Sequence, residues 1–181
     1  MVHLEYTVRF HRQLGDIVRE EKDSLQNYVK RHFGPAALTT VTYTGESPDG
    51  TFYFVSDSSA FIGTQHFPVD TTLKLNYTGR LLNGQVFDTT VEKIAKDAGI
   101  YDGSKTYTPV SISFAKSWKE IAMGSSSSLI DGFKGGLSLM HWQGQEAVVL
   151  FTSSHGYASE GSLPSIPPFS PLIFELSLPV Q

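Results

Sequence analysis

Apolar residues recur at helical spacing in the first part of the chain. From about Tyr6 to Phe33 they fall near one face, while charged residues occupy much of the remaining surface. Gly34-Pro35 ends the pattern, because proline cannot continue a helix. The residues of the apolar stripe are Leu14, Ile17, Val18, Leu25, Tyr28, Val29 and Phe33. We predict a helix here, and its single stripe is compatible both with packing on the flank of a domain and with pairing to a partner.

Beyond Leu38 the spacing of apolar residues changes to the two-residue alternation of β-strands. Asn83-Gly84 is the strongest hairpin signal in the chain, because both residues tolerate the positive φ of a tight turn. Ser47-Pro-Asp-Gly50 is a second turn signal. The alternation predicts strands near residues 41–43, 51–55, 72–77, 86–88, 110–114, 147–151 and 172–178.

Short helical segments lie between these strands. Residues 91–98 have helical spacing, and residues 118–122 indicate a further helical turn or two. Ile130, Phe133 and Leu137 are spaced as in a helix with one buried face. Together the elements predict an α+β fold, with a twisted antiparallel β-sheet wrapped around one short helix and the N-terminal helix added to it.

Composition narrows the class of protein. The chain has 181 residues, of which 40% are hydrophobic, and this suits one globular domain with an appendage. The net charge of −4 comes without a basic stripe, so neither nucleic acid nor an anionic membrane is an expected partner. The absence of cysteine excludes disulfides and thiolate chemistry, and the histidines lack the spacing of metal ligands.

The sequence shows neither a membrane span nor the pattern of a signal peptide. No apolar run approaches the ~20 residues of a membrane span, so no span is expected. The chain does not open with the basic-then-apolar order of a signal peptide. This predicts a cytoplasmic protein by default and leaves open an exported or lipoprotein form from which a leader has been removed.

Three blocks of the chain, in this order, resemble the FKBP-type peptidyl-prolyl cis-trans isomerase domain. The first is residues 71–88, which contain Tyr77-Thr-Gly79 and Val86-Phe-Asp88. The second, residues 129–140, begins with Leu129-Ile130, and the third is the proline-rich segment 156–178. The resemblance implies an enzyme that rotates X-Pro amide bonds, for which the barrier is about 20 kcal/mol.

The site that this resemblance implies consists of apolar walls and a few polar groups. Because no bond is made or broken, such a site acts by holding the proline ring in an apolar slot and removing water from the carbonyl. The residues implied as catalytic are Tyr77 and Phe87 as walls, Asp88 as the carboxylate near the substrate carbonyl, and Tyr157 as a loop hydroxyl. Those implied as substrate-binding are Ile112, Leu129, Ile130 through its amide, Phe133, Ile166 and Phe174.

The chain departs from the family pattern in two places. Residues 89–128 form a longer segment than is typical between the Phe-Asp and Leu-Ile motifs, and they border the implied pocket. Phe133 stands where most members have tryptophan, so the slot is expected to be deeper and looser. The domain division predicted from these features is a helical extension at 1–35 and an FKBP-like domain at 36–181, with the insertion inside it.

The sequence therefore predicts a peptidyl-prolyl cis-trans isomerase that acts on X-Pro bonds in peptides and folding proteins. A second hypothesis is a catalytically weak FKBP-fold module that binds peptides or acts as a chaperone. The expected partners are proline-containing peptides or unfolded proteins, and macrolides of the tacrolimus and rapamycin class if the insertion leaves the pocket open. No cofactor or metal is needed, and a homodimer through the N-terminal helix stays open.

Overall fold

The computed structural model of the protein describes residues 2–39 and 50–180, with side chains from residue 14 onward. The first element is the helix α1, Val2–Phe33, which begins four residues before the predicted start. Gly34 ends it with a φ of 83°, which a residue with a side chain rarely adopts. The strand predicted near 41–43 and most of the turn at 47–50 lie outside the described residues.

The centre of the fold is a seven-stranded antiparallel sheet. Its strands are β1 Phe52–Val55, β2 Thr72–Leu81, β3 Val86–Thr89, β4 Val110–Ser113, β5 Ala122–Met123, β6 Glu146–Phe151 and β7 Leu172–Ser177. Neighbouring strands follow the order β1-β6-β7-β2-β4-β5, and β3 pairs with β2 beside this path. The hairpin predicted at Asn83-Gly84 connects β2 to β3, with Gly84 at a φ of 90°.

The long segment between β3 and the Leu-Ile motif is partly built into this sheet. It contains the short helix α2, Glu92–Asp97, where the sequence predicts one. Its strand β4 pairs with β2 and continues the sheet. The helical turns predicted at 118–122 are a single 3₁₀ turn, Trp118–Glu120, which the strand β5 follows directly.

The main core lies between the sheet and the helix α3, Asp131–Ser138. Two glycines one helical turn apart bring this helix close to β6. A Cβ on Gly132 would lie 2.4 Å from the Phe151 ring, and one on Gly136 would lie 2.9 Å from Val149. Because both ring and methyl belong to buried side chains, α3 can sit this deep only without side chains at these two positions.

The helix α1 packs on the other face of the sheet. Leu25 and Val29 are fully buried there in a cluster with three sheet residues, Tyr53, Leu150 and Ile173. Glu21 also lies against the domain, where it accepts hydrogen bonds from the Ser153 backbone N–H at 2.8 Å and from the Ser153 hydroxyl at 2.7 Å. This part of α1 is therefore packed on the flank of its own domain, which is the first of the two possibilities that the apolar stripe left open.

The structure confirms the predicted α+β fold, with an antiparallel sheet, a short helix packed on it and an N-terminal helix. Within the described residues, no helix has the length and apolar character needed to cross a membrane.

Candidate active site

A cavity of about 340 Å³ opens between the sheet, the N-terminal end of α3 and the loop that precedes β7. Its lining combines aromatic and aliphatic side chains with several polar groups. Nine of the ten residues that the sequence places in the site line this one cavity: Tyr77, Phe87, Asp88, Leu129, Ile130, Phe133, Tyr157, Ile166 and Phe174. They come from four separate parts of the chain, and the fold brings them together.

A β-bulge places two successive residues of β3 at the cavity. In the pairing of β2 with β3, Gly79 lies opposite Asp88 and Arg80 lies opposite Val86, so Phe87 is the extra residue. Neighbours in a regular strand point to opposite faces, but both Phe87 and Asp88 line the cavity here. Gly79 makes room for the Phe87 ring, since a Cβ at that position would lie 2.4 Å from it.

The walls of the cavity are a set of aromatic rings in mutual contact. The Phe133 ring lies 5.0 Å from the Phe174 ring and 5.4 Å from the Tyr77 ring, in both cases edge to face. The Phe87 ring also contacts the Phe174 ring, with centroids 5.5 Å apart and again edge to face. Such contacts fix each ring by its neighbours, so the slot is shaped before any ligand enters it.

Two of the polar groups at the cavity are hydrogen-bonded to each other. The Tyr77 hydroxyl donates a hydrogen bond of 2.8 Å to Oδ2 of Asp88. Burial of the ring and the nearby charge of Asp88 hold the pKa of Tyr77 well above its usual range. The phenol therefore keeps its proton and orients the Asp88 carboxylate at neutral pH.

Two further polar groups face the cavity with no partner inside the described part of the chain. The backbone N–H of Ile130, just before α3, donates to no acceptor there, and the Tyr157 hydroxyl makes no hydrogen bond there either. The Tyr157 side chain is 37% exposed, and burial together with the charge of Asp88 raises its pKa. Both groups are donors at neutral pH and are available to a carbonyl oxygen.

The loop before β7 is held in shape by its own backbone. Ser162 and Ile166 exchange two hydrogen bonds of 2.8 Å, and the Phe169 N–H donates to the Ala158 carbonyl at 2.8 Å. Gly161, with a φ of 64°, allows its backbone to lie close to that of Ile166, since a Cβ on Gly161 would lie 2.4 Å from the Ile166 carbonyl oxygen. This loop contributes both Tyr157 and Ile166 to the cavity lining.

Ile112 is the one predicted site residue that does not line the cavity. Its side chain is fully buried in the main core. Its strand partner Met123, on β5, lines the cavity instead. The pattern of the sequence carried no signal for Met123, because a two-residue strand is too short to show alternation.

Four more residues at the cavity were missed. Ser128 precedes the Leu-Ile motif, and Ser162 and Ser165 belong to the loop before β7. The fourth, Lys105, lies in the loop between α2 and β4. The three serines lie within or next to the family motifs, and this proximity was the sequence feature that could have identified them. Lys105 lies in the part of the chain with no family counterpart, so no such feature pointed to it.

A larger groove of about 580 Å³ has Tyr77 in common with the aromatic cavity. Its other lining residues on β2 and β7 include Asn76, Thr78 and Glu175, which alternate along the strands with Tyr77 and Phe174. Three carboxylates line it, those of Asp57, Glu146 and Glu175, so it stays hydrated and is a poor place to remove water from an amide. In the described residues, no three histidine, aspartate or glutamate side chains are placed to hold a metal ion.

Comparison with known proteins identifies the family. A family model described as FKBP-type peptidyl-prolyl cis-trans isomerase matches residues 63–179, which is well over half of the chain. The chain therefore belongs to the FKBP-type peptidyl-prolyl cis-trans isomerases, and this confirms the family and the isomerase activity predicted from the sequence. A search of curated proteins found no match.

Solved structures with the same fold span most of the chain. A peptidyl-prolyl cis-trans isomerase from Pseudomonas syringae is 17% identical with a TM-score of 0.51, and the match covers 92% of this chain and 93% of that one. FkpA from Escherichia coli is 20% identical with a TM-score of 0.53, and the match covers 96% of this chain and 62% of that one. At these identities the two likenesses establish the fold alone.

Proposed function

We propose that the aromatic cavity is the place where the protein isomerises X-Pro bonds of peptides and folding proteins. The proline ring enters between Tyr77, Phe87 and Phe174, with Phe133 at the floor. The carbonyl before the proline comes to lie near Asp88. The observation that carries this proposal is the combination of an aromatic slot with two donors that have no partner in the described part of the chain, the Ile130 N–H and the Tyr157 hydroxyl.

The mechanism follows from the way in which water slows the reaction. The planar amide is stabilised by resonance, which water strengthens by hydrogen bonding to the carbonyl oxygen. In the slot the carbonyl oxygen is removed from water. The barrier to rotation falls because the twisted amide loses less stabilisation by water than the planar amide does. The Ile130 N–H and the Tyr157 hydroxyl hold peptide carbonyls on either side, which keeps the proline ring in the slot while the bond turns.

Asp88 acts through its fixed position. The Tyr77 hydroxyl holds one carboxylate oxygen at 2.8 Å, which leaves the other free to face the twisted amide. The negative charge lies near the carbonyl oxygen, which is more negative in the planar amide than in the twisted one, so it disfavours the polarised planar form. Macrolides of the tacrolimus class compete for the same slot if the residues contributed by the long segment leave enough room.

The direct test is a protease-coupled isomerisation assay on a short Leu-Pro peptide, with and without a tacrolimus-class macrolide. We expect acceleration by the wild-type protein. Asp88→Ala and Tyr157→Phe are expected to lose about tenfold in kcat/KM, which is the size of one hydrogen bond to a charged or polar group. Asp23→Ala and Tyr28→Phe, both in α1 and outside the cavity lining, are the matched controls. A folded wild-type protein without any acceleration contradicts the proposal.

The alternative of a weak isomerase that mainly binds peptides is favoured by one observation. Met123 and Lys105, both from the long segment, belong to the cavity lining. In that case the Leu-Pro peptide binds, as an NMR titration would detect, while its isomerisation stays at the uncatalysed rate. The macrolide then fails to bind, since it needs a wider mouth than an extended peptide.

Pairing of two chains through α1 is proposed only for the part of that helix that its own domain leaves exposed. Val18 is 38% exposed, whereas Leu25 and Val29 are fully buried. If α1 pairs two copies through this surface, Val18→Glu lowers the apparent mass in size-exclusion chromatography. An apparent mass of one chain for the wild type removes the idea.

A further inference from the structure

The loop between α2 and β4, residues 101–107, is held by specific contacts although it lies on the surface. The Tyr101 and Tyr107 rings stack with their centroids 5.5 Å apart, which closes the loop at its base. Lys96 on α2 places its Nζ 4.9 Å from the centroid of the Tyr101 ring. The loop is thus fastened to α2 at one end and closed on itself by two aromatic rings.

Inside the loop, Asp102 organises the backbone. Its Oδ1 accepts hydrogen bonds from the Ser104 N–H at 2.9 Å and the Ser104 hydroxyl at 2.7 Å, and its own N–H donates to the Tyr107 hydroxyl at 3.0 Å. The Lys105 N–H in turn donates to the Asp102 carbonyl at 3.1 Å. The position of Lys105 is therefore fixed by a turn and not left to a mobile chain.

This turn places Lys105 at the aromatic cavity. Among the residues that line it, Lys105 is the single cation and Asp88 the single anion. Asp88 already accepts the hydrogen bond from Tyr77, whereas the ion pairs found in the described part of the chain involve Arg19, Arg80, Lys93 and Lys96. Lys105 thus presents an exposed positive charge beside the slot. It forms no ion pair with a described carboxylate, although Asp102 in the same turn lies near enough to interact with its charge.

We propose that Lys105 is a specificity-determining residue, which favours proline sequences that carry a glutamate or aspartate directly next to the proline. The inference rests on the proposed function, because it assumes that the proline ring enters the aromatic slot. A residue adjacent to that proline then lies at the mouth, within reach of a long lysine side chain. Its carboxylate gains the attraction of the ammonium group, which offsets the repulsion from Asp88.

The test compares peptides that differ only in charge. Isomerisation of Glu-Pro and Gln-Pro peptides, and of Pro-Glu and Pro-Gln peptides, is measured by NMR exchange, and each Glu/Gln ratio of kcat/KM is recorded for the wild type, Lys105→Gln and Lys105→Glu. We expect Lys105→Gln to lower the ratio about two- to fivefold for at least one of the two positions, as for a partly exposed ion pair. Lys105→Glu lowers it further, and the effect shrinks in 1 M salt.

The matched control is Lys116→Gln, an exposed lysine in a loop away from the cavity, which should leave all ratios unchanged. Ratios that are the same in the wild type and in both Lys105 variants would overturn the inference. If none of the peptides is isomerised, the proposed function fails. The role of Lys105 is then tested by the Glu/Gln ratios of the dissociation constants, measured for the same peptides and variants. A preference that Lys116→Gln reduces equally would also overturn it, because it would reflect only the overall charge.

Discussion

At the scale of single residues, the hydrogen bond between Tyr77 and Asp88 fixes the protonation of one group and the orientation of the other before a ligand binds. The Tyr77 ring is partly buried among aromatic side chains, and its hydroxyl meets a carboxylate, so loss of the phenolic proton would bring two negative charges together. Both effects raise the pKa of Tyr77 above the usual value of about 10. The geometry of Asp88 therefore depends on a proton that stays in place under alkaline conditions.

This raised pKa predicts a flat alkaline limb of the pH profile. We expect kcat/KM for a neutral Ala-Leu-Pro-type peptide, measured by NMR exchange, to be constant from pH 7 to about pH 10. Tyr77→Phe removes the donor and lowers kcat/KM about tenfold across the range, the size of a hydrogen bond to a charged group. A wild-type decline centred near pH 10 that is absent in Tyr77→Phe would show that the tyrosine has an ordinary pKa.

At the scale of elements, the depth of α3 in the fold decides where the floor of the cavity lies. Gly132 and Gly136 let the helix approach β6, and the same helix carries Phe133 and begins directly after Ile130. The glycine-rich run 131–136, which resembles a phosphate loop in composition only, is explained by this close packing. A side chain at Gly132 would push both the floor and the Ile130 N–H outward.

Gly132→Ala is therefore predicted to affect stability and activity together. The added methyl would meet the buried Phe151 ring, so we expect a loss of about 1–3 kcal/mol in the free energy of unfolding, as for an overpacked core. The kcat/KM should fall as well, because Phe133 and the Ile130 N–H move with the helix. Urea unfolding and the exchange assay measure the two effects.

Gly15→Ala is the control for this substitution. Gly15 lies in α1, and a Cβ there meets nothing within 4 Å. Alanine is the better helix former by roughly 1 kcal/mol, so this variant should be more stable and equally active. If Gly132→Ala were as stable as Gly15→Ala, the close contact with Phe151 would not limit the position of α3.

The elements differ in how well the sequence predicted them, and the difference has a physical cause. The helix α1 and the hairpin at Asn83-Gly84 depend on local spacing and on turn conformation, and both were predicted. The strand β5 was not, because it consists of two residues whose pairing with β4 is set by contacts distant in the chain. The same nonlocal register buries Ile112 and brings Met123 to the cavity, so alternation along one strand could not separate the two.

The position of Lys105 was beyond the reach of the sequence for another reason. It depends on the stacking of Tyr101 on Tyr107 and on the turn at Asp102, and surface loops of this kind have no periodic pattern. The residues in the three motif blocks were implied by the resemblance to the FKBP-type family, whose motifs occur here in the same order. Their roles in catalysis stay predictions until the variants are measured.

At the scale of the whole molecule, Glu21 couples the N-terminal helix to the domain through a pH-dependent contact. Its side chain is 8% exposed, and burial raises its pKa although the two hydrogen bonds from Ser153 act in the opposite direction. The folded state thus keeps a proton that the unfolded chain loses near pH 4.5, so stability falls as the pH rises from about 4.5 through the raised folded value.

Glu21→Gln removes this titration. We expect the free energy of unfolding of the variant, minus that of the wild type, to increase as the pH rises above about 4.5 and then to level off. Urea unfolding at several pH values between 4 and 8 measures it. Glu20→Gln, at an exposed neighbour, is the control for the loss of one negative charge. A difference that is constant over this range, or that decreases, would contradict the proposed cause.

The packing of α1 also predicts that the extension and the domain unfold together. Leu25 is fully buried against the sheet, so Leu25→Ala should lower the free energy of unfolding by about 2–5 kcal/mol, whereas Val18→Ala, at a position 38% exposed, should change it little. Far-UV circular dichroism reports on the long helix, and the fluorescence of Trp118 and Trp142 reports on the domain. Because α1 shares a buried cluster with β1, β6 and β7, both signals should shift to lower urea concentration together in Leu25→Ala. A helix signal that is lost first, with the tryptophan transition unchanged, would mean that α1 is a separate unit merely resting on the sheet.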